Sequence, residues 1–225
     1  YTKYKIRRYG FHGTSHAYVA QKAAELIGKK GKIITCHLGN GASITAVENG
    51  KCVDTSMGFT PLAGVVMGTR SGDIDPYIPL YIIKTQNKTP DEVNTLLNKQ
   101  SGMLGICGFS DNRDVEVGYL KGEQKAIDAM NVYVHTLLRF IGSYIAVLGG
   151  VDAIVFTAGV GENGSIVRKL VVERLAYLGI KLNEENNNKR GQTLEISTPD
   201  SKVHVFVIPT DEELMIAKDT MKLVF

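Results

Sequence analysis

A mixed-sheet α/β fold is what this sequence predicts, on three observations. Residues 32–55 hold three β-type runs joined by tight turns, which makes those strands antiparallel neighbours. Later strand-type runs at 152–157, 194–197 and 203–208 return through stretches of helical periodicity, so they read as parallel crossovers. A chain of 225 residues that is 44% hydrophobic can enclose such a sheet in a full core and has no disorder signature.

Each element has a local cause. Residues 9–16, YGFHGTSH, run from a loop into a helix that Thr14 or Ser15 can cap, with an apolar stripe at Ala20, Ala23, Ala24 and Ile27 and a stop at Gly28. The β-branched run 32–35 leads through Cys36-His37-Leu38 into the turn Gly39-Asn40-Gly41, and residues 42–47 form the second strand. Asn49-Gly50 suits a type I′ turn because both residues tolerate positive φ, and 51–55 is the third strand. Residues 56–79 are rich in glycine and proline and are too long for an idle connection. A short helix is expected at 78–84. Another runs from Thr89 to about Gln100, with Thr89 as N-cap, Pro90 in the first turn and acids at the positive end. Residues 101–114 are a second glycine-rich segment.

From Glu123 to Leu148 the apolar spacing is helical, until Gly149-Gly150 stop it. A buried-type strand at 152–157 leads into a glycine loop at 158–164 and a helix over 165–178. Residues 183–189 read as a solvated loop. Thr210, with Glu213 three residues on, reads as a capping box opening the last helix. The whole order is that of a ribonuclease H-like unit, the half-molecule of the actin-like ATPases, as a single domain over residues 1–225. Ligands in such a sheet sit at the carboxyl ends of the strands.

Bulk properties narrow the partners. A net charge of +3 implies neither nucleic acid nor a membrane surface. Cys36, Cys52 and Cys107 have no paired ligand spacing and read as free thiols of a reducing cytoplasm. No apolar run approaches a membrane span of about 20 residues, and no signal peptide is present. The chain starts at Tyr1 without a methionine, in the basic stretch YTKYKIRR, as expected for a trimmed product or the later part of a longer protein.

Several motifs point toward phosphate. In the Gly39-Asn40-Gly41 turn the glycines strip side chains from the backbone, so its N–H groups can approach a phosphate closely. The same composition also makes ordinary hairpin turns, but His37 adjoins it and Ser43 follows it. Arg70 lies in a glycine-flanked loop, and a guanidinium can bridge the equatorial oxygens of a transferring phosphoryl group. Asp73 and Asp75 could bind a metal, yet Asp75-Pro76 equally starts a helix, and that reading is preferred. His12 suits hydrogen bonding to a phosphate, while His16 reads as structural. Glu212 is equally an acid at a helix N-terminus or a water-mediated Mg²⁺ residue.

Residues 159–164, GVGENG, match the dinucleotide pattern G-x-G-x-x-G. They come late in the chain, after a three-strand meander. The acids about twenty residues on, Glu184 and Glu185, lie in an asparagine-rich loop. A glycine turn at a helix N-terminus serves any nucleotide. There is no P-loop GxxxxGK[ST], no HExxH and no Ser-His-Asp signature.

Taken together, YGFHGTSH, HLGNGAS, MGTRSGDIDP, SDNRD, TAGVGEN and PTDEE resemble the acetate kinase family, in that family's order across the whole chain. The resemblance implies an actin-like fold and reversible Mg-ATP-dependent phosphorylation of acetate to acetyl phosphate. It implies that His12 and Arg70 stabilise the transition state and that His37, Leu38, Gly39, Asn40 and Gly41 form the phosphate turn. Asp111, Asn112 and Arg113 would build the adenosine pocket with Gly159, Val160, Gly161, Glu162 and Asn163, and Glu212 would serve Mg²⁺. Asn112 stands where an aromatic is expected in many members. Only the family's second half is matched, so the first half, with its own phosphate loop, arginine and aspartate, is expected to be absent. A homodimer through this domain is also implied.

Three functions stay open: an acyl kinase for acetate or a homologue such as propionate or butyrate, a non-catalytic nucleotide-binding module, and a dinucleotide oxidoreductase. This half alone is expected to catalyse little.

Overall fold

The computed structural model describes residues 1–224. Strands β1 (Lys32–Leu38), β2 (Ala42–Glu48) and β3 (Lys51–Thr55) form the antiparallel meander. Asn49 and Gly50 both take positive φ, 52° and 79°, as a type I′ turn demands. β4 (Ala153–Thr157) lies parallel to β1, and β6 (His204–Val207) parallel to β4. The two-residue β5 (Leu194–Glu195) completes a six-stranded sheet in the order β3-β2-β1-β4-β6-β5. β5 is antiparallel to β6, which corrects the expectation of a parallel crossover there. The loop between them simply turns back, with no helix to carry the chain over.

Helices cover both faces. α1 (Gly13–Leu26) packs Val19, Ala20 and Ala23 against Ile33, Val47 and Val155. Opposite lies α6 (Gln124–Leu148), which buries Met130, Leu137 and Ile141 with Ile34, Ile44 and Phe156. β1 and β2 are therefore buried on both faces, with Thr35, His37, Ser43 and Thr45 buried among their apolar residues. By length and composition α6 would also suffice to cross a membrane, but nine of its residues are buried in this fold. The Gly149-Gly150 stop is as expected, with Gly149 left-handed.

Around this core sit α2 (Tyr77–Gln86), α3 (Pro90–Lys99), α4 (Gly102–Cys107), α5 (Asn112–Leu120), α7 (Ala158–Asn163), α8 (Ser165–Arg174), α9 (Glu184–Asn187) and α10 (Glu212–Val224). α3 carries the full Thr89/Glu92 capping box with Pro90 behind it. Elsewhere the local expectations need correction. His12, not Thr14 or Ser15, is the N-cap position of α1, in left-handed conformation and without a side-chain cap bond. Residues 158–163 are a turn of helix instead of a loop. Residues 184–187 are helical because Asn183 caps them. At α10, Asp211 receives the Leu214 N–H at 2.9 Å, whereas the Thr210 hydroxyl is buried without a partner.

Candidate functional site

β1 ends at the Gly39-Asn40-Gly41 turn, and its parallel pairing with β4 brings Thr157 beside His37. The end of β4 and the start of α7 therefore lie next to that turn, at the carboxyl ends of the strands. A cleft of about 730 Å³ opens there. Of the residues expected from the sequence, Gly39, Asn40, Asp111, Asn112, Arg113, Gly159, Val160 and Asn163 line it.

Four lining residues were not foreseen: Ser110, Glu116, Gly164 and Arg190. Glu116 is half-buried and takes the Asn112 amide at 3.1 Å. Loss of solvent pushes its carboxyl up from the ordinary value. Its spacing from Asn112, one helical turn, was the available signal. Asp111 caps α5 by accepting from the Arg113 N–H at 2.9 Å and pairs with the Arg113 guanidinium, which pulls its carboxyl down to about 2.

Some expected residues face elsewhere. The Leu38 side chain is fully buried in the core. Gly161 is buried, and its carbonyl accepts from Arg168 at 2.8 Å. The Glu162 carboxylate receives the Ala158 N–H at 2.9 Å and the Thr210 N–H at 3.3 Å, joining the end of β4 to the approach to α10. Neither Gly161 nor Glu162 lines the cleft. The GVGENG stretch is thus mostly inside α7 and does not form the strand-to-helix turn that a dinucleotide fingerprint needs.

Beyond the turn, three histidines converge although the sequence separates them. The His12 and His37 rings stack at 4.0 Å and 13°, and His16 lies 6.0 Å from His37. Hydroxyls hold them: His37 Nδ1 is 2.8 Å from Ser15 Oγ, and His12 Nδ1 is 2.8 Å from Ser43 Oγ. Burial, then the mutual repulsion of the cluster, brings His16 down to about 3 and His37 to about 4. His12 is lowered by burial and by Arg70. The Arg70 guanidinium is anchored on the Pro61 carbonyl at 2.7 Å. A side chain at Gly41 would put Cβ 2.6 Å from Arg70 Nη2 and 3.4 Å from His12 Nε2, so only glycine lets these two groups meet over the turn.

Glu212 is exposed at the first residue of α10. No cluster of three metal-ligating side chains occurs among the described residues. A Mg²⁺ here would have one carboxylate and the phosphates of a nucleotide, a donor set that suits this ion.

Fold and cleft define a class: one half of an actin-like ATPase, with a glycine turn and an arginine-histidine pair at the strand ends. The chain belongs to the acetokinase family, whose model matches residues 1–218. It is 58% identical to acetate kinases of Dictyoglomus thermophilum and Clostridium novyi, over all of this chain and 57% of each of those proteins. It superposes on the crystal structure of Porphyromonas gingivalis acetate kinase with a TM-score of 0.95 and 45% identity, over 100% of this chain and 57% of that one. For a propionate kinase from Francisella tularensis the TM-score is 0.91 at 46% identity, covering 96% of this chain and 56% of that one. The chain thus spans a little over half the length of these relatives.

Proposed function

We propose that this chain is the nucleotide-binding half of a kinase that transfers phosphoryl reversibly between ATP and a short-chain carboxylate, acetate first and propionate as the second candidate. The observation that carries this is the meeting of Arg70 and His12 over Gly41, in the turn whose Gly39 and Asn40 line a cleft of nucleoside size. The Gly39 N–H closes the turn on the Gly41 carbonyl at 3.0 Å, the N–H groups of Asn40 and Gly41 grip the phosphate chain, and residues 110–116 with 159–164 enclose the nucleoside. Arg70 offsets charge on the equatorial oxygens while His12 hydrogen-bonds to the same group. The carboxylate attacks phosphorus in line, and ADP leaves. When bound, Mg²⁺ would neutralise phosphate charge, with Glu212 as its protein-side partner through water.

Two measurements test this. Titration of the chain with Mg-ATP and with NAD should show binding of ATP alone, and NAD binding in place of ATP would sink the reading. In a chain extended to the relatives' full length, Arg70→Ala should lower kcat for acetyl phosphate formation on the order of 10³-fold. A loss under tenfold removes Arg70 from the chemistry.

A further inference from the structure

We propose that Ser43, His16 and Thr35 form a one-way hydrogen-bond wire that holds His12 in its Nδ1–H tautomer and leaves Nε2 bare beside Arg70. Its functional consequence rests on the role given to His12 above; the wire itself does not.

The links are short, fully buried at His16 and part-buried at His12. His12 Nδ1 lies 2.8 Å from Ser43 Oγ, Ser43 Oγ 2.7 Å from His16 Nε2, and His16 Nδ1 2.7 Å from Thr35 Oγ1. A neutral imidazole carries one N–H and a hydroxyl carries one O–H. Buried as it is, His16 stays neutral. Ser43 is fully buried and its O–H finds its acceptor at one of the two imidazoles, so each link holds one proton and all of them point the same way. In one direction Thr35 donates to His16, His16 to Ser43 and Ser43 to His12, which leaves His12 Nε2–H directed toward a guanidinium that is itself only a donor. In the other, His12 donates to Ser43, Ser43 to His16 and His16 to Thr35, whose hydroxyl ends on the Thr45 carbonyl at 3.5 Å. Both ends select the second direction. A carbonyl receives the last proton, and the Nε2 lone pair faces the Arg70 cation. The other titratable rings facing His12 are His37 and His16, both uncharged.

His12 in the free protein is thus a base, although the proposed chemistry needs a donor. A phosphoryl oxygen entering beside Arg70 meets a lone pair, so its binding draws one proton onto Nε2. The imidazolium so formed already has its Nδ1–H in a chain that ends on a carbonyl dipole, which favours the charge. Ser43, His16 and Thr35 are positioning residues in this scheme.

Two-bond ¹H–¹⁵N correlation spectra of the imidazoles test the wire on the chain as it is. At pH 7 the protonated nitrogen should be Nδ1 in both His12 and His16; Nε2–H on His12 overturns the proposal. Thr35→Val removes the terminal acceptor. Because an unpaired lone pair is better tolerated than an unpaired N–H, both His16 and His12 should flip to Nε2–H, and a His12 tautomer unmoved by that change overturns the wire. Should the valine variant fail to fold, the wild-type spectrum still decides. Saturation with inorganic tripolyphosphate should leave His12 doubly protonated. A singly protonated His12 in that complex overturns the proton uptake, and absence of tripolyphosphate binding overturns the phosphate reading of the cleft while leaving the tautomer result standing.

Discussion

A histidine that cannot take up a proton in the fold makes stability pH-dependent in a definite direction. In the unfolded chain His16 titrates at its ordinary 6.5, whereas in the fold it stays neutral down to about 3. Between those values the unfolded chain binds more protons, so stability is complete above pH 6.5 and falls as the pH drops. At pH 5 His16 alone costs about 2 kcal/mol, and His37 acts with the same sign. Urea midpoints measured at pH 7 and pH 5 should differ accordingly; equal midpoints would contradict the buried neutral cluster. Arg168 makes a second residue-scale case. It is fully buried, donates to no carboxylate, and donates instead to the Asn187 side chain at 2.9 Å, the Asn187 carbonyl and the Gly161 carbonyl. Arg168→Ala strands those acceptors at about 1–3 kcal/mol each, so a loss of at least about 3 kcal/mol is expected in denaturant unfolding. Neither case was visible in the sequence. A lone arginine on a helix reads as surface, and nothing linear brings residues 12, 16 and 37 to one point.

At the level of elements, legibility followed how local the cause was. The 49–50 turn, the Thr89 N-cap and the Gly149 stop depend on neighbours in sequence, and each stands where it was expected. Thr89→Ala should cost about 1 kcal/mol, visible as a lower Tm, since it removes the hydroxyl that accepts the Glu92 N–H and leaves only the Thr89 N–H on the Glu92 carboxylate. Where tertiary partners decide, the reading failed. Glu162 accepts the N–H of Ala158, which takes φ 65°, and also that of Thr210, 48 residues on, which ties α7 to the approach to α10. α9, capped by Asn183, is held by Asn187 drawn inward to Arg168. In the cleft, the glycine turn and the 111–113 triplet were legible as motifs. Arg190 was not, because an arginine on an exposed-looking segment carries no signal until the walls are built, and Glu116 was marked only by its one-turn spacing from Asn112.

For the whole molecule, the antiparallel meander and the parallel crossovers to β4 and β6 followed from the strand and helix pattern, and the edge pairing of β5 departed from it. What the pattern did not show is how much apolar surface stays uncovered. α10 exposes Ile216, Met221 and Leu223, and α2 exposes Tyr77, Leu80 and Tyr81. An apolar groove of about 600 Å³ runs beside α1 past Tyr9, Phe11 and Met215. Patches of this kind mark contact surfaces. Extension of the chain to the length of its relatives should cut the binding of a hydrophobic dye and raise Tm; unchanged dye binding would show that the added length packs elsewhere. Sedimentation of this chain should show a dimer if α2 meets a second copy, and a dimer that survives Leu80→Glu would move the contact off that helix.

The carboxylate of Glu162 turns these surfaces into a matter of mechanics. One oxygen pins the backbone that floors the cleft to the backbone that launches α10. Any body that grips α10 therefore also pulls on the cleft floor through this side chain, as a lever acts through its pivot. Glu162→Gln would loosen that pivot without touching the cleft walls.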